Sequence, residues 1–320
     1  MTQISIVIPL YNEEESLPEL IDWISRVMEK HGFLYEVLMV DDGSTDDSWE
    51  VIEGLSQKHP IKAIKFNRNY GKSAALNVGF KHAEGEVIIT MDADLQDSPD
   101  EIPELYEMVK SGSHLVSGWK KKRFDPITKT IPSKLFNGVT RILSGIKLHD
   151  FNCGLKAYDK KLVKTLDIYG EMHRYIPVIA KRNGFTKISE KVVEHRARKY
   201  GQTKFGIERF IYGFLDLLSI SFVSRYKKRP MHFFGTLGTL SFVLGFVFVL
   251  GITWEKVRAI YILKTDDYRQ IVEQPLFFLA IAAIIIGVQL FLAGFVGEMM
   301  VMNSHKRNDY IFDNTIGLDQ

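Results

Sequence analysis

At 320 residues, with 46% hydrophobic content, the chain is long enough for one full domain plus an appendage and too apolar to be disordered. Its net charge of +2, without a long basic block or an aromatic stacking pattern, speaks against a nucleic-acid partner. The single cysteine, Cys153, excludes an intramolecular disulfide, suits a reducing compartment, and reads as a small packing residue rather than a nucleophile.

The first hundred residues alternate strand and helix patterns, which predicts a sheet with helices on both faces. Ile4 to Pro9 is a strand too short for a signal peptide, with Asn12 and the acidic Glu13 to Glu15 directly after it. A helix follows from about Ser16 to Lys30, its apolar positions Leu17, Leu20, Ile21, Ile24 and Val27 spaced for one face. Tyr35 to Val40 is the second strand, and the Asp42 to Asp46 turn leads into a helix through Leu55. Ile61 to Phe66 and Glu86 to Met91 complete the strands, separated by a helix over Lys72 to His82. Beyond them lie a helix over Glu101 to Val109, a strand over His114 to Gly118 and a basic, apolar helix over Ser133 to Ser144.

In such a sheet, ligands lie beyond the carboxyl ends of the strands. Polar clusters fall at those ends: Pro9 to Glu13, Asp41 to Ser44, Asn67 to Lys72, and the run Asp92-Ala93-Asp94-Leu95-Gln96-Asp97. Strand alternation would point Asp92 and Asp94 to one side, where two carboxylates suit a hard divalent cation bridging a diphosphate. Neither G-x-G-x-x-G nor G-x-x-x-x-G-K occurs, so a metal must carry more of the phosphate work. Asp97 is expected to cap the helix that begins near Pro99.

Near the C-terminus, Phe233 to Trp254 and Leu276 to Val296 are uncharged runs long enough to cross the roughly 30 Å hydrocarbon layer. Arg225, Lys227, Lys228 and Arg229 precede the first run, and His305, Lys306 and Arg307 follow the second. By the positive-inside rule both ends of this hairpin face the cytoplasm, with Glu255 to Pro275 outside. The expected organisation is a cytoplasmic catalytic domain at 1–205, a juxtamembrane amphipathic segment at 206–230, a transmembrane hairpin at 231–302 and a cytoplasmic tail at 303–320.

The segments Ile8 to Glu13, Val40 to Asp46, Gly71-Lys72, Asp92 to Asp97 and Asn152-Cys153-Gly154-Leu155-Lys156, taken in order, resemble glycosyltransferase family 2 in the GT-A fold, a Rossmann-like mixed α/β sheet. With the hairpin, the chain looks most like the polyprenyl-phosphate glycosyltransferases. The resemblance implies a metal-dependent inverting transfer of a hexose from a nucleotide sugar, taken as UDP-glucose, to undecaprenyl phosphate, with Mg2+ or Mn2+ as cofactor. A multi-pass protein of the inner membrane, forming homo-oligomers, is the implied setting.

Carried over by position, Pro9, Tyr11, Glu13, Val40 and Asp42 would hold the nucleoside, Asp42 on its base. Asp92, Asp94 and Gln96 would hold the metal, with Ala93 and Lys72 beside the diphosphate. Lys120 stands where relatives often have Arg, keeping the charge but losing the planar fork. Arg174 matches a donor-binding cation, and Arg198 and Lys204 match a basic loop that grips the acceptor phosphate and diphosphate. Asp94 and Asp150 are the catalytic carboxylates, Asp150 for orienting the acceptor or for residual base work. No Glu-Asp dipeptide is present, the pair that relatives acting on alcohols use as base, and a phosphate acceptor needs no such help. The alternatives are a GDP-mannose-dependent synthase and a non-catalytic nucleotide-sugar-binding membrane scaffold.

Overall fold

The computed structural model describes residues 2–121, 137–142, 144–197, 199–200, 229–265 and 269–302. Two compact units divide the chain, Met1–Ser221 and Phe222–Gln320.

The first unit alternates β1 (Ile4–Leu10), α1 (Leu17–His31), β2 (Tyr35–Asp41), α2 (Ser48–Ser56), β3 (Ile61–Lys65), α3 (Lys72–His82) and β4 (Val87–Thr90). It continues with α4 (Ile102–Lys110), β5 (Leu115–Trp119), β6 (Lys156–Asp159), α5 (Lys160–Lys164), α6 (Ile176–Arg182) and β7 (Ile188–Val192). The strands form one sheet of seven in the order β3-β2-β1-β4-β6-β5-β7. Strands β1 to β4 run parallel, β6 runs antiparallel to both β4 and β5, and β7 is parallel to β5. The expected mixed α/β sheet is therefore present, with its parallel half at one end and its reversal at β6.

Alternation along the strands sorts side chains between two cores. Ile4, Ile6, Ile8 and Leu10 of β1 join Val37, Met39, Val87 and Ile89 on the face covered by α1 and α4. Val7, Leu38, Ile88 and Tyr158 face the other way, onto Leu76 and Phe80 of α3 and Ile176 of α6. Helix α1 buries Leu17, Leu20, Ile21, Ile24, Val27 and Met28, the stripe its spacing predicts, and ends where Gly32 takes the left-handed φ of 68°. At the amino ends of β1 and β2, Glu36 is buried and accepts from Ser5 Oγ at 2.5 Å and Glu84 N at 2.9 Å, with Lys62 Nζ at 2.8 Å.

The sequence places the helical segment before Ser144 at 133–144; the described part is helical at 137–142, and the remainder lies outside the described residues. So does the expected juxtamembrane segment except at 229–230.

The second unit holds α7 (Pro230–Val257), a wider π-helical extension over Arg258–Leu263, and α8 (Pro275–Met302). Each helix has 28 residues, which at about 1.5 Å per residue exceeds the hydrocarbon thickness of about 30 Å. They pack backbone to backbone: a Cβ on Gly287 would lie 2.6 Å from Phe242 N, and one on Gly245 2.6 Å from Ala280 O. Ser241 Oγ donates to Ala283 O at 2.8 Å across the pair. Small residues at the contact and a hydroxyl bridge are how helices associate in lipid. The remaining faces are apolar and open, with Leu240 and Leu279 each 63% exposed, unlike the helices of a soluble core.

Candidate active site

The register of β1 and β2 sets Pro9 opposite Val40 and Leu10 opposite Asp41, so the loops after both strands start at one level. The loops are then laced together. Asn12 N donates to Ser44 Oγ at 2.9 Å, Thr45 N to Asn12 Oδ1 at 2.8 Å, and Glu13 N to Ser48 Oγ at 2.9 Å. Gly43 has φ +75°, and a Cβ there would lie 2.5 Å from the Arg68 carbonyl carbon, so both backbone conformation and space require glycine. Helix α2 begins at Ser48, whose N–H is accepted by Asp46 Oδ1 at 3.2 Å. Pro9, Tyr11, Glu13, Val40 and Asp42 thus share one end of the sheet, and Tyr11 stays half-buried.

Asp42 is buried, and its two oxygens accept Tyr70 N at 2.7 Å and Gly71 N at 2.9 Å. Burial raises its pKa, against the lowering effect of those two amides. Asp42 therefore pins the loop before α3, and the first residue of that helix is Lys72.

The paired carboxylates are not on a strand. Strand β4 ends at Thr90, and 92–97 is a turn in which Leu95 has φ 59°. Asp92 and Asp94 are thus brought to the strand end by a turn, in place of the alternation expected from their spacing. Asp94 is buried, and its Oδ1 accepts Gln96 N at 3.2 Å. Asp92 is 31% exposed, and Lys72 Nζ contacts its Oδ1 directly. Burial works against the Asp92 carboxylate, but Lys72, Lys120 and Lys156 outweigh it and hold its pKa below the usual range. Beneath Asp92 passes Gly154, where a Cβ would sit 2.8 Å from Asp92 Oδ1; Thr90 Oγ1 fixes that backbone by donating to Gly154 O at 2.8 Å.

Asp97 is not the helix cap that the sequence predicts. Ser98 holds that position, its hydroxyl accepting Asp100 N, because a hydroxyl one residue closer meets the first free amide. Asp97 is instead fully buried, with Lys120 Nζ 2.8 Å from its Oδ1 and no hydrogen-bond partner for Oδ2 among the described residues. Burial disfavours the Lys120 ammonium, yet Asp97, with Asp92 further off, raises its pKa. Lys156, at the start of β6, is also buried and donates to Cys153 O. Burial pulls its ammonium pKa down. Asp97 as an ion-pair partner and Lys156 as a site cation were missed from sequence; the one signal for Lys156 is a lysine inside the apolar run Leu155 to Tyr158.

Asp150 is buried at a turn, its Oδ1 accepting Asn152 N at 3.0 Å. Cys153 is buried, and burial pushes its thiol up to about 12, as a packing residue requires. Arg174 pairs with Glu171 at 3.0 Å on a short helical turn. Gln96 Nε2 donates to Arg196 O at 3.5 Å, and Arg196 N donates to Gln96 O at 2.9 Å. The start of the basic stretch is thereby tied to the Asp92 turn, and it continues onto α1 through Lys199 Nζ and Glu19 at 2.6 Å. Arg198 and Lys204 lie outside the described residues.

Among the described residues, no third His, Cys, Asp or Glu joins Asp92 and Asp94 into an all-protein cage. Two hard carboxylates in one turn, Asp92 partly exposed and Asp94 buried, with Gly154 leaving Asp92 room, fit a divalent ion that takes its remaining ligands from phosphate and water.

Comparison with known proteins gives the family. The glycosyl transferase family 2 model matches residues 5–167. A dodecaprenyl-phosphate galacturonate synthase of Rhizobium johnstonii is 35% identical over 316 residues, 96% of this chain and 90% of that one. An undecaprenyl-phosphate 4-deoxy-4-formamido-L-arabinose transferase of Edwardsiella ictaluri is 31% identical over 323 residues, 99% and 95% of the two chains. Among solved structures, glucosyl-3-phosphoglycerate synthase from Mycobacterium tuberculosis, in complex with Mn2+, UDP-glucose and phosphoglyceric acid, aligns with TM-score 0.55 and 20% identity over 69% of this chain and 80% of that one, a likeness of fold. Sheet order, acidic turn and alignments converge: the chain belongs to glycosyl transferase family 2.

Proposed function

We propose that this protein transfers a sugar, with inversion, from a nucleoside-diphosphate donor to a polyprenyl phosphate at the cytoplasmic face of the inner membrane. The observation that carries the reading is the presence, in one chain, of the Asp92–Asp94 turn ringed by lysines and of two helices long enough to span a bilayer. Relatives named for sugar transfer to dodecaprenyl or undecaprenyl phosphate match this chain along 96% and 99% of its length, hairpin included.

The nucleoside lies against Pro9, Tyr11, Glu13, Val40 and Asp42, and its diphosphate lies over the Asp92–Gln96 turn. Asp92 and Asp94, with Gln96, would hold a divalent ion, Mg2+ or Mn2+, which offsets the charge that grows on the departing diphosphate. An acceptor phosphate oxygen attacks the anomeric carbon as the bond to the diphosphate oxygen breaks. With a second pKa of about 6, that phosphate is already ionised, so no strong base is required. The harder task is bringing two anions together, a repulsion of roughly 4 kcal/mol per contacting pair of unit charges in a surface-like dielectric. Lys120, fixed by Asp97, and Lys72 meet that need from the donor side, and Arg198 and Lys204 from the acceptor side. Asp150, its carboxylate engaged with Asn152 N, acts through position: it shapes the turn that carries Gly154 beneath Asp92.

The sequence reading takes UDP-glucose as donor, while the relatives are named for galacturonate and formamido-arabinose. Purified protein with polyprenyl phosphate is therefore assayed against labelled UDP-glucose, UDP-galacturonate, the UDP-linked formamido-arabinose and GDP-mannose. One donor is expected to yield a chloroform-soluble labelled lipid, and Asp94→Asn to abolish it. Failure of every donor would reject transfer and leave a nucleotide-sugar-binding scaffold.

A further inference from the structure

The Lys72 ammonium takes a lone pair of Asp92 Oδ1 and offsets its charge, so a divalent ion arriving at that carboxylate meets a repelling cation and a weakened ligand. Neither partner is locked away, for Lys72 is 28% exposed and Asp92 31% exposed. Lys72 is also the residue that follows directly on the two amides held by Asp42, Tyr70 N at 2.7 Å and Gly71 N at 2.9 Å. A single short segment thus joins the carboxylate at the nucleoside end to the carboxylate at the diphosphate end. A nucleobase that donates to Asp42 draws on the same oxygens as those amides, and whatever moves residues 70 and 71 moves the root of Lys72.

We infer that Lys72 is an internal cation competing with the metal for Asp92, and that the Tyr70 to Lys72 segment held by Asp42 makes metal affinity depend on the nucleoside itself, not only on its phosphates. The inference rests on the assignment of Asp92 to the metal and Asp42 to the base in the proposed function. Coupling of this kind is reciprocal, so the metal raises nucleoside affinity by the same factor. Once displaced from Asp92, the Lys72 ammonium has the donor diphosphate as its next anion.

The test uses a nucleoside without phosphates, which cannot ligate the ion. Mn2+ binding to the purified full chain is followed by the electron paramagnetic resonance of free Mn2+, alone, with UDP or GDP, and with uridine or guanosine. In the wild type, the nucleoside whose diphosphate binds is expected to raise Mn2+ affinity severalfold. In Lys72→Met, Mn2+ alone should bind roughly tenfold more tightly, the scale of one charge-assisted contact, and the nucleoside should add nothing. Lys72→Gln should behave like Met, and Lys72→Arg like the wild type. A wild type in which Mn2+ and the diphosphate bind together while the nucleoside leaves Mn2+ affinity unchanged overturns the inference and spares the proposed function. Unchanged or weaker Mn2+ binding in folded Met and Gln variants overturns it equally. If neither diphosphate recruits Mn2+ to the wild type, both fall.

Discussion

Removing Lys120 should destabilise the catalytic unit far more than a surface lysine would. Asp97 is fully buried, its Oδ1 lies 2.8 Å from Lys120 Nζ, and its Oδ2 has no hydrogen-bond partner among the described residues. Lys120→Met therefore leaves a buried carboxylate without its cation, a change that costs about 3–5 kcal/mol where such pairs are broken from one side. Set against a total stability of about 5–15 kcal/mol, the loss is a large fraction. Asp97→Leu should cost less, about 1–3 kcal/mol, because Lys120 is 13% exposed and still feels Asp92. The double variant Asp97→Leu/Lys120→Met should be more stable than the sum of the single losses implies, by about 2 kcal/mol, since well-packed apolar residues replace buried pairs at little cost. Urea unfolding of the full chain in detergent, followed by tryptophan fluorescence, measures the cycle. Trp119, stacked on His149 with ring centroids 4.1 Å apart, is a reporter beside the pair. A Lys120→Met variant within about 0.5 kcal/mol of wild type, or a coupling below that size, would refute the reasoning.

Glu36→Gln should cost about 1–3 kcal/mol by weakening the partners of a buried carboxylate. Burial pushes Glu36 up, but Lys62, Ser5 and the Glu84 amide outweigh it and its folded pKa is lowered. Its stabilisation is therefore complete above the unfolded value of about 4.3 and is lost as pH falls through the lower folded value; urea midpoints in the wild type should drop over that window more than in the Gln variant. Gly154→Ala should cut sugar transfer at least about tenfold, because the added methyl meets the Asp92 carboxylate; near-normal turnover with normal Mn2+ affinity would show that the backbone yields. Gly287→Val should weaken the hairpin by about 1–3 kcal/mol, since even its Cβ lies 2.6 Å from Phe242 N, and size-exclusion recovery after mild heating in detergent measures it. Recovery equal to wild type would mean that the helices separate without penalty.

Local pattern made most of the parallel half legible. The helix expected over Lys72 to His82 has those bounds, and the apolar spacing of α1 named its buried face. Strand β6 escaped because it has four residues and opens on a lysine, and only its pairing with β4 and β5 gives that lysine a reason to be buried. The spacing of Asp92 and Asp94 signalled the site, yet their geometry comes from a turn that holds Leu95 at positive φ, which no periodicity encodes. Asp97 shows the limit most plainly. Its neighbours in sequence make it a good cap, but Ser98 is the better one, and the residue that settles the role of Asp97 is Lys120, which arrives from the far side of α4 and β5. Partners separated by whole elements, Lys72 with Asp92 as much as Lys120 with Asp97, belong to topology.

The reversal at β6 has a consequence for how this enzyme can diversify. Strand β5 leaves the sheet at Trp119 and β6 re-enters beside it at Lys156, the two being hydrogen-bonded neighbours. The chain that leaves after Trp119 consequently returns at Lys156 to the same rim of the scaffold. Lengthening such a connection adds only about 0.6 kcal/mol of closure entropy for each doubling. The strands that lead to Asp42 and Asp92 need not shift when length is added between Lys120 and Asp150, so insertions there leave both ends of the stretch, and the carboxylates they flank, where they are.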